Sequence, residues 1–284
     1  MGGMMQAWVF SRRNASVEFR LCYAAIGQPP HSALFIIINM RRRFFVDQVR
    51  NGHAEIAGED ARHLTRVLRV EVGQRYEISD NRAVYLAEIE TARKEHVIFK
   101  TLEKLPVIEP PVRMILCAAI VKFDHFEWMI EKATELGVAA IIPLVSVRTE
   151  RGLDKAAPKR LERWRRIGLE ASQQSRRAHL PEIAEPAAWE EVLATAGTYR
   201  YALDENGTQP LPAVFPVERH AADSVALLIG PEGGWTDEER SEFTAAGWAA
   251  VSLGPSILRA ETAALAGLAI VSAAWLRGVA TLEH

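Results

Sequence analysis

The sequence predicts an α/β protein in which a small β-rich region precedes a larger region of alternating strands and helices. Residues 43–105 contain short segments of alternating apolar and polar residues separated by turn residues, which is typical of half-exposed strands. After Pro110 and Pro111, continuous apolar runs alternate with amphipathic segments, which is typical of buried parallel strands and their covering helices. The two prolines predict the boundary between the regions because proline interrupts both helices and sheet ladders.

The composition is that of an ordinary globular protein, with 49 % apolar and 25 % charged residues in a chain of 284. The two cysteines, Cys22 and Cys117, argue against a disulfide framework or a cysteine-rich zinc site, and they favour a cytoplasmic protein without a metal. No apolar run reaches the length of a membrane span, so we expect no membrane partner. Residues 1–39 lack a sustained period, and we interpret them as a disordered or mis-started extension before Met40.

The formal net charge is −2, but the basic residues are concentrated in two segments. Residues 40–69 contain seven arginines against four acidic residues, and residues 148–179 contain ten basic residues against four acidic ones. Basic segments inside a mildly acidic chain favour a surface that binds a polyanion. The alternative is that both segments are solvated helix faces.

The β-rich region is predicted to contain one helix among its strands. We expect strands at residues 44–46, 53–57, 74–79, 83–90 and 96–102. The helix covers residues 59–70, with Leu64, Val67 and Leu68 on one apolar face and a stripe of arginines on another. Such a helix can pack on a barrel and still present cations to phosphates.

The second region is predicted to alternate between strands and helices up to its end. In chain order we expect a strand at 113–121, a helix at 123–136, a strand at 138–145, a helix at 158–177, strands at 199–204 and 224–230, a helix from Thr236, a strand around 251 and a helix at 260–276. Thr236 and Glu239 have the spacing of a helix capping box. The last helix carries almost no charge, which predicts burial on all sides, part of it by a second subunit.

Two apolar runs near the C-terminus each end in Gly-Pro. Residues 226–234 read Ala-Leu-Leu-Ile-Gly-Pro-Glu-Gly-Gly, and residues 251–262 read Val-Ser-Leu-Gly-Pro-Ser-Ile-Leu-Arg-Ala-Glu-Thr. Loops at the carboxyl ends of parallel strands bind ligands, so the two loops predict one pocket. No Gly-x-Gly-x-x-Gly motif follows the first strand, which argues against a nucleotide-dependent oxidoreductase.

Several segments form a recognisable series along the chain: residues 41–45, 63–69, Lys122 with 130–138, 170–177, 228–234 and 253–262. Together and in this order they resemble the RsmE family of the SPOUT superfamily, which methylates N3 of uridine in small-subunit ribosomal RNA. The resemblance implies a PUA-like RNA-binding barrel over residues 40–108, a SPOUT domain with a deep trefoil knot over residues 112–280, and a homodimer. The chain departs from the family pattern at Ser256, where arginine is usual, and at Ala260, where threonine is usual.

The resemblance also implies S-adenosylmethionine as the cofactor. The glycines allow the backbone to approach the ligand closely, and the leucine and isoleucine side chains can enclose the adenine. The residues that we expect to bind it are Leu203, Ile229, Gly230, Glu232, Gly233, Gly234, Leu253, Gly254, Ile257, Leu258 and Thr262.

The expected reaction requires deprotonation of uridine N3, and a cation beside the uracil oxygens would favour the anion. Arg259 is the first candidate, with Arg176 or Arg177 of a second subunit as the alternative. Glu261 is a candidate proton acceptor, although its place at the start of the last helix equally favours a capping or dipole role.

The expected partner is 16S ribosomal RNA or the small ribosomal subunit. The RNA-binding candidates are Arg41, Arg42, Arg43, Arg66, Arg69, Arg148, Arg151, Arg176 and Arg177. Two other functions stay open: a non-catalytic RNA-binding or ribosome-assembly factor on the same fold, and a sibling RNA methyltransferase with another target.

Overall fold

The computed structural model describes residues 42–279. The predicted extension at residues 1–39, Arg41 and the last predicted residue of the second domain therefore lie outside the described residues. The first sheet region comprises β1 (Arg43–Phe45), β2 (His53–Ala57), α1 (Gly58–Arg66), β3 (Arg75–Ser79), β4 (Val84–Arg93) and β5 (His96–Leu105). The second comprises β6 (Arg113–Ala119), α2 (Phe123–Glu135), β7 (Ala140–Leu144), α3 (Leu153–Ala156), α4 (Leu161–Gln174), β8 (Glu182–Ile183), α5 (Trp189–Leu193), β9 (Tyr199–Leu203), β10 (Gln209–Pro210), β11 (Ser224–Ile229), α6 (Asp237–Ala245), β12 (Ala249–Ser252) and α7 (Ala260–Val279).

The first region is a five-stranded sheet in the order β1-β3-β4-β5-β2, in which β1 and β3 run parallel and the other pairs are antiparallel. Its strands bury alternate side chains around a core that includes Phe44, Ile78 and Phe99. The helix prediction was too long, because α1 ends at Arg66 and Val67 is 64 % exposed. Arg69 adopts the left-handed conformation (φ 52°), so the helix cannot continue to residue 70 as predicted.

The second region is a seven-stranded sheet in the order β10-β12-β9-β11-β6-β7-β8, and each recorded pairing in it is parallel. Side chains of α2, α4 and α7 pack on one face, around Leu116, Trp164 and Leu268. Side chains of α5 and α6 pack on the other face, around Phe243 and Trp248. The predicted α/β fold with a parallel sheet is thus confirmed, whereas the knot stays a prediction.

The helix predicted at residues 158–177 is shorter in the structure. A 3-10 turn (Ala157–Arg160) precedes α4, which ends at Gln174. The backbone N–H of Arg177 donates to the Ser172 carbonyl oxygen at 3.0 Å, and Arg176 lies in the left-handed conformation with φ 56°. This is a Schellman-type helix end in which arginine occupies the position that usually holds glycine. The turn carries the two arginines away from the helix axis.

The two sheet regions contact each other through the end of α4. Arg43 and Glu77 lie side by side in the β1–β3 ladder, and the carboxylate of Glu77 also pairs with Arg176. The hydroxyl of Ser79 donates to the Ala178 carbonyl oxygen at 2.6 Å. Polar contacts from β1 and β3 therefore fix the first sheet against the segment that follows α4. Among residues 42–279, no helix has the length and the apolar character needed to cross a membrane.

Candidate functional site

Three neighbouring strands end at one edge of the parallel sheet and form a cleft there. β9 lies between β11 and β12, so Asp204 and Glu205 follow the middle strand while Gly230 and Leu253 follow its neighbours. The carboxyl ends of parallel strands are where open α/β sheets bind ligands. The two Gly-Pro loops face the same cleft, as the sequence predicts, but the loop after β9 separates them.

The loop after β11 rests on a buried tryptophan. Trp235 is 1 % exposed, and its indole N–H donates to the Leu203 carbonyl oxygen at 3.0 Å. A Cβ atom on Gly230 would lie 2.9 Å from Cε2 of this ring, and Gly234 adopts φ 69°. Glycine at these two positions lets the loop turn tightly over the indole and leaves its backbone open to the cleft.

Arg148 holds the same loop from the end of β7. Its Nη1 atom donates to the carbonyl oxygens of Gly233 at 2.6 Å and Trp235 at 3.3 Å. The carboxylate of Glu239 caps α6 by accepting from the Thr236 backbone N–H at 2.8 Å, and it also accepts from the Val147 backbone N–H at 2.9 Å. The predicted capping box thus connects the glycine loop to the loop after β7.

The opposite wall of the cleft is the segment after β12. Gly254 adopts φ 126°, and its backbone N–H donates to the Ser252 hydroxyl at 3.1 Å. Ile257 is 83 % exposed and Leu258 is 37 % exposed, although both are large apolar side chains. Exposed apolar groups beside a cleft lined by backbone are suited to a flat aromatic ligand such as adenine.

The charges lining the cleft are negative. Asp204, Glu205 and Glu232 contribute carboxylates, and no lysine or arginine of the described chain lines it. Asp204 is neutralised by Arg240, whose Nε lies 2.8 Å from the carboxylate. Glu205 and Glu232 have no ion-pair partner within residues 42–279, so the cleft favours a ligand that carries positive charge.

The two catalytic candidates flank the start of α7 but differ in their exposure. Arg259 is exposed, between Leu258 and Ala260, both of which line the cleft. Glu261 is buried, and its carboxylate lies 2.9 Å from Nδ1 of His125 in the first turn of α2. The sequence gives no sign of this pair, because the two residues are 136 positions apart.

Most of the predicted cofactor residues line the cleft: Leu203, Ile229, Gly230, Glu232, Gly234, Leu253, Gly254, Ile257 and Leu258. Gly233 and Thr262 do not. Gly233 instead binds Arg148 through its carbonyl oxygen, and the Thr262 side chain is exposed. Sequence reasoning missed the lining residues Asp204, Glu205, Pro231, Trp235, Ser252 and Ala263, whereas Ser256 and Ala260, noted as departures, both border the cleft.

The RNA-binding candidates within the described residues fall into two groups. Arg42, Arg66, Arg69 and Arg151 are exposed and have no side-chain hydrogen bond or ion pair among the described residues. The guanidinium groups of the others have partners within the molecule, although Arg148 and Arg176 are also exposed: Arg43 and Arg176 pair with Glu77, Arg148 binds the glycine loop, and Arg177 donates to the Thr134 and His179 carbonyl oxygens. Burial lowers the pKa of Arg177 to about 10.

Residues 108–272 match the model of an RNA methyltransferase domain, and residues 56–102 match that of an RNA methyltransferase PUA domain. The chain is 34 % identical to ribosomal RNA small subunit methyltransferase E of Synechocystis sp., over 80 % of this chain and 75 % of the relative. It is 29 % identical to the Bacillus subtilis protein of the same name, over 81 % of this chain and 96 % of the relative.

Solved structures agree with these relatives. Ribosomal RNA small subunit methyltransferase E of Neisseria gonorrhoeae, bound to S-adenosylmethionine, superimposes with a TM-score of 0.75 at 29 % identity, covering 83 % of this chain and 98 % of that one. A Legionella pneumophila protein, also with bound S-adenosylmethionine, gives a TM-score of 0.75 at 30 % identity, with 82 % and 98 % covered. With a family model matching more than half of its length, the chain belongs to the RsmE family of ribosomal RNA small subunit methyltransferases.

Proposed function

We propose that this protein transfers a methyl group from S-adenosylmethionine to N3 of a uridine in 16S ribosomal RNA. The observation that carries the proposal is the cleft at the ends of β9, β11 and β12, where two glycine loops meet beside exposed apolar side chains. Relatives across more than three quarters of the chain are named for small-subunit ribosomal RNA methylation, and a solved relative holds this cofactor.

The residues present fit the cofactor. Gly230 and Gly234 let the loop pack closely against its neighbours, because a Cβ atom at Gly230 would lie 2.9 Å from the Trp235 ring and one at Gly234 would lie 3.2 Å from a carboxylate oxygen of Glu205. Ile257 and Leu258 offer apolar contact to adenine, and Glu205 and Glu232 favour the cationic sulfonium and ammonium groups. When bound, S-adenosylmethionine supplies a methyl group already activated by its positive sulfur. The chain's own contribution is then mainly alignment and charge.

Arg259 is our candidate for the catalytic cation. It is exposed beside the cleft, where its guanidinium can stabilise the negative charge that N3 deprotonation places on the uracil oxygens. We propose that Glu261 acts through His125 as a positioning residue that fixes the first turn of α7, since its carboxylate points towards α2. Its role as proton acceptor stays the alternative from the sequence.

The substrate surface that we propose spans both sheet regions. Residues 40–108 would act as the RNA-binding barrel and residues 112–280 as the catalytic domain. Arg42, Arg66, Arg69 and Arg151 are the exposed candidates for phosphate contacts. Exposed arginines can exchange solvent for phosphate without losing an internal partner.

We further propose that the protein is a cytoplasmic homodimer. Along α7, Ala269 and Ala273 are exposed and Leu276 is 59 % exposed. Trp128, on the neighbouring α2, is 45 % exposed. An exposed apolar surface along an otherwise uncharged helix favours a second copy of the same helix pair as its cover.

Primer extension tests the reaction, because an N3-methyl group blocks Watson–Crick pairing and stops the polymerase. Purified small subunits and naked 16S RNA are each incubated with protein and S-adenosylmethionine, with a cofactor-free reaction as the control. We expect one new stop at a uridine. Cofactor binding without any stop would instead support a non-catalytic assembly factor, and a stop at another type of nucleotide would support a sibling methyltransferase.

A further inference from the structure

A cavity of about 730 Å³ lies at the edge of the parallel sheet opposite the cofactor cleft. Arg113 at the start of β6 and Ala139 just before β7 line it, together with the connection after β5 and the turn after α4. β6 has seven residues, so about 20 Å of strand separates the two edges. The cavity is therefore separate from the cleft, and its volume is in the range of ligand sites.

Positive charge dominates the lining of this cavity. Four arginines and one glutamate line it: Arg43, Arg113, Arg176, Arg177 and Glu109. Glu77, which lies outside the lining, pairs with both Arg43 and Arg176, and Glu109 pairs with His179 at 3.1 Å. Arg113 and Arg177 are left without a carboxylate partner within residues 42–279. The cavity therefore has an excess of cations.

Two hydrogen bonds fix the orientation of the Arg177 guanidinium, which is also partly removed from water. Its Nε donates to the His179 carbonyl oxygen at 3.1 Å, and its Nη1 donates to the Thr134 carbonyl oxygen at 2.8 Å. The Nη2 group has no protein acceptor among the described residues. Burial lowers the pKa of this guanidinium to about 10, which reflects a cation removed from water without a counter-charge. An anion that enters the cavity would supply that charge.

The remaining walls are apolar. Pro106, Val107, Ile108 and Pro110 come from the connection between the two sheet regions, and Ile108 is 97 % exposed. Apolar walls suit the face of a base, while guanidinium groups suit a phosphate. A nucleotide carries both kinds of surface.

We propose that this cavity holds one nucleotide of the substrate RNA, distant from the methylated base. Arg113 and Arg177 bind its phosphate, and Ile108 and Pro110 contact its base. The inference rests on the proposed function in that the RNA is the substrate. It adds a contact to the RNA that is independent of the cofactor edge, because the two sites lie at opposite ends of the same strands.

The test measures the affinity of the full-length protein for 16S RNA at several salt concentrations. Arg113→Ala removes an exposed side chain, so the variant is expected to fold. We expect a several-fold weaker affinity and a salt slope lower by about 0.7, the value for one phosphate contact on a single strand. Arg93→Ala, which removes an exposed arginine outside the cavity lining and outside both basic segments, is expected to leave the slope unchanged.

A second variant tests the apolar wall. Ile108→Asp replaces the proposed apolar contact to the base with a carboxylate and adds negative charge to the cavity, and because Ile108 is 97 % exposed the substitution leaves the core intact. We expect weaker RNA binding with unchanged affinity for S-adenosylmethionine. Wild-type affinity and slope in both variants would overturn the proposal, even if the wild-type protein gave the primer-extension stop. Conversely, if RNA binding depended on Arg113 but primer extension gave no stop, the proposed reaction would be contradicted and the proposed nucleotide site would stand.

Discussion

The two edges of the parallel sheet differ in charge and in how their residues are held. The edge at the ends of β9, β11 and β12 is built from backbone, apolar side chains and carboxylates, with no lysine or arginine among the described lining residues. The opposite edge is lined by four arginines, and it adjoins the first sheet. One fold can thus place the site for a cationic cofactor and the proposed contact to anionic RNA far apart, because opposite strand ends supply independent loops.

The largest expected effect comes from displacing the glycine loop at the cofactor edge. Gly230→Val places a side chain against the buried ring of Trp235, where even a Cβ atom would lie at 2.9 Å, so the loop must shift. Overpacking of this kind costs about 1–3 kcal/mol of folding free energy. Because a shifted loop no longer presents its backbone to the ligand, we expect the affinity for S-adenosylmethionine to fall about a hundredfold. Calorimetric titration with S-adenosylmethionine in the absence of RNA measures this affinity.

Gly73→Ala is the matched control. It also alters a glycine in a turn and its Cβ would meet nothing within 4 Å, while the strain of a side chain at its left-handed φ of 85° stays within the first sheet region. We expect the Gly73→Ala variant to bind S-adenosylmethionine with wild-type affinity. If Gly230→Val bound S-adenosylmethionine with wild-type affinity, the glycine loop would not form a wall of the cofactor site.

A smaller effect is expected from Glu77→Gln, which removes the anion that Arg43 and Arg176 share. The side chains of Glu77 and Arg43 are 11 % and 12 % exposed, but that of Arg176 is 41 % exposed. We therefore expect a loss of about 2 kcal/mol in the free energy of unfolding, below the value for a fully buried pair. Urea denaturation measures the loss.

The exposed pair of Arg75 and Glu88 provides the control. Its side chains are 54 % and 36 % exposed, so Glu88→Gln should cost less than about 1 kcal/mol. Cofactor affinity should be unchanged in both variants, since Glu77 lies at the arginine edge. Equal stability losses in the two variants would argue against a special role for Glu77 at the contact between the sheets.

The smallest expected effect is on cofactor affinity, and it should distinguish Arg148 from Arg151, which the sequence analysis assigns together to RNA binding. Arg148→Met removes the donor to the Gly233 and Trp235 carbonyl oxygens, and we expect about tenfold weaker binding of S-adenosylmethionine. Arg151→Met should leave that affinity unchanged and lower the salt slope of RNA binding by about 0.7. If Arg148→Met altered only the RNA slope, Arg148 would belong to the RNA surface instead.

The sequence predicted the parallel sheet and the meeting of two glycine loops, because buried strands and Gly-Pro turns leave local patterns. It did not predict that β9 lies between their strands, so Asp204 and Glu205 were missed: strand order depends on long-range packing. The assignment of Arg43, Arg148 and Arg176 to phosphates stays a prediction. A run of arginines does not reveal that Glu77 or a loop carbonyl already binds these side chains.

The positions of the two sites along the chain also set an order of events during synthesis, since the chain emerges from the ribosome N-terminus first. Apart from Ala221, the residues lining the arginine-rich cavity are all made by Leu180. The cofactor cleft needs residues from Leu203 to Ala263, including the last strand and the first turn of α7. A nascent chain therefore contains most of the residues that line its proposed RNA-binding cavity well before it contains all those of the cofactor cleft. Loss of the final helix would remove part of the cleft but none of the residues that line the cavity.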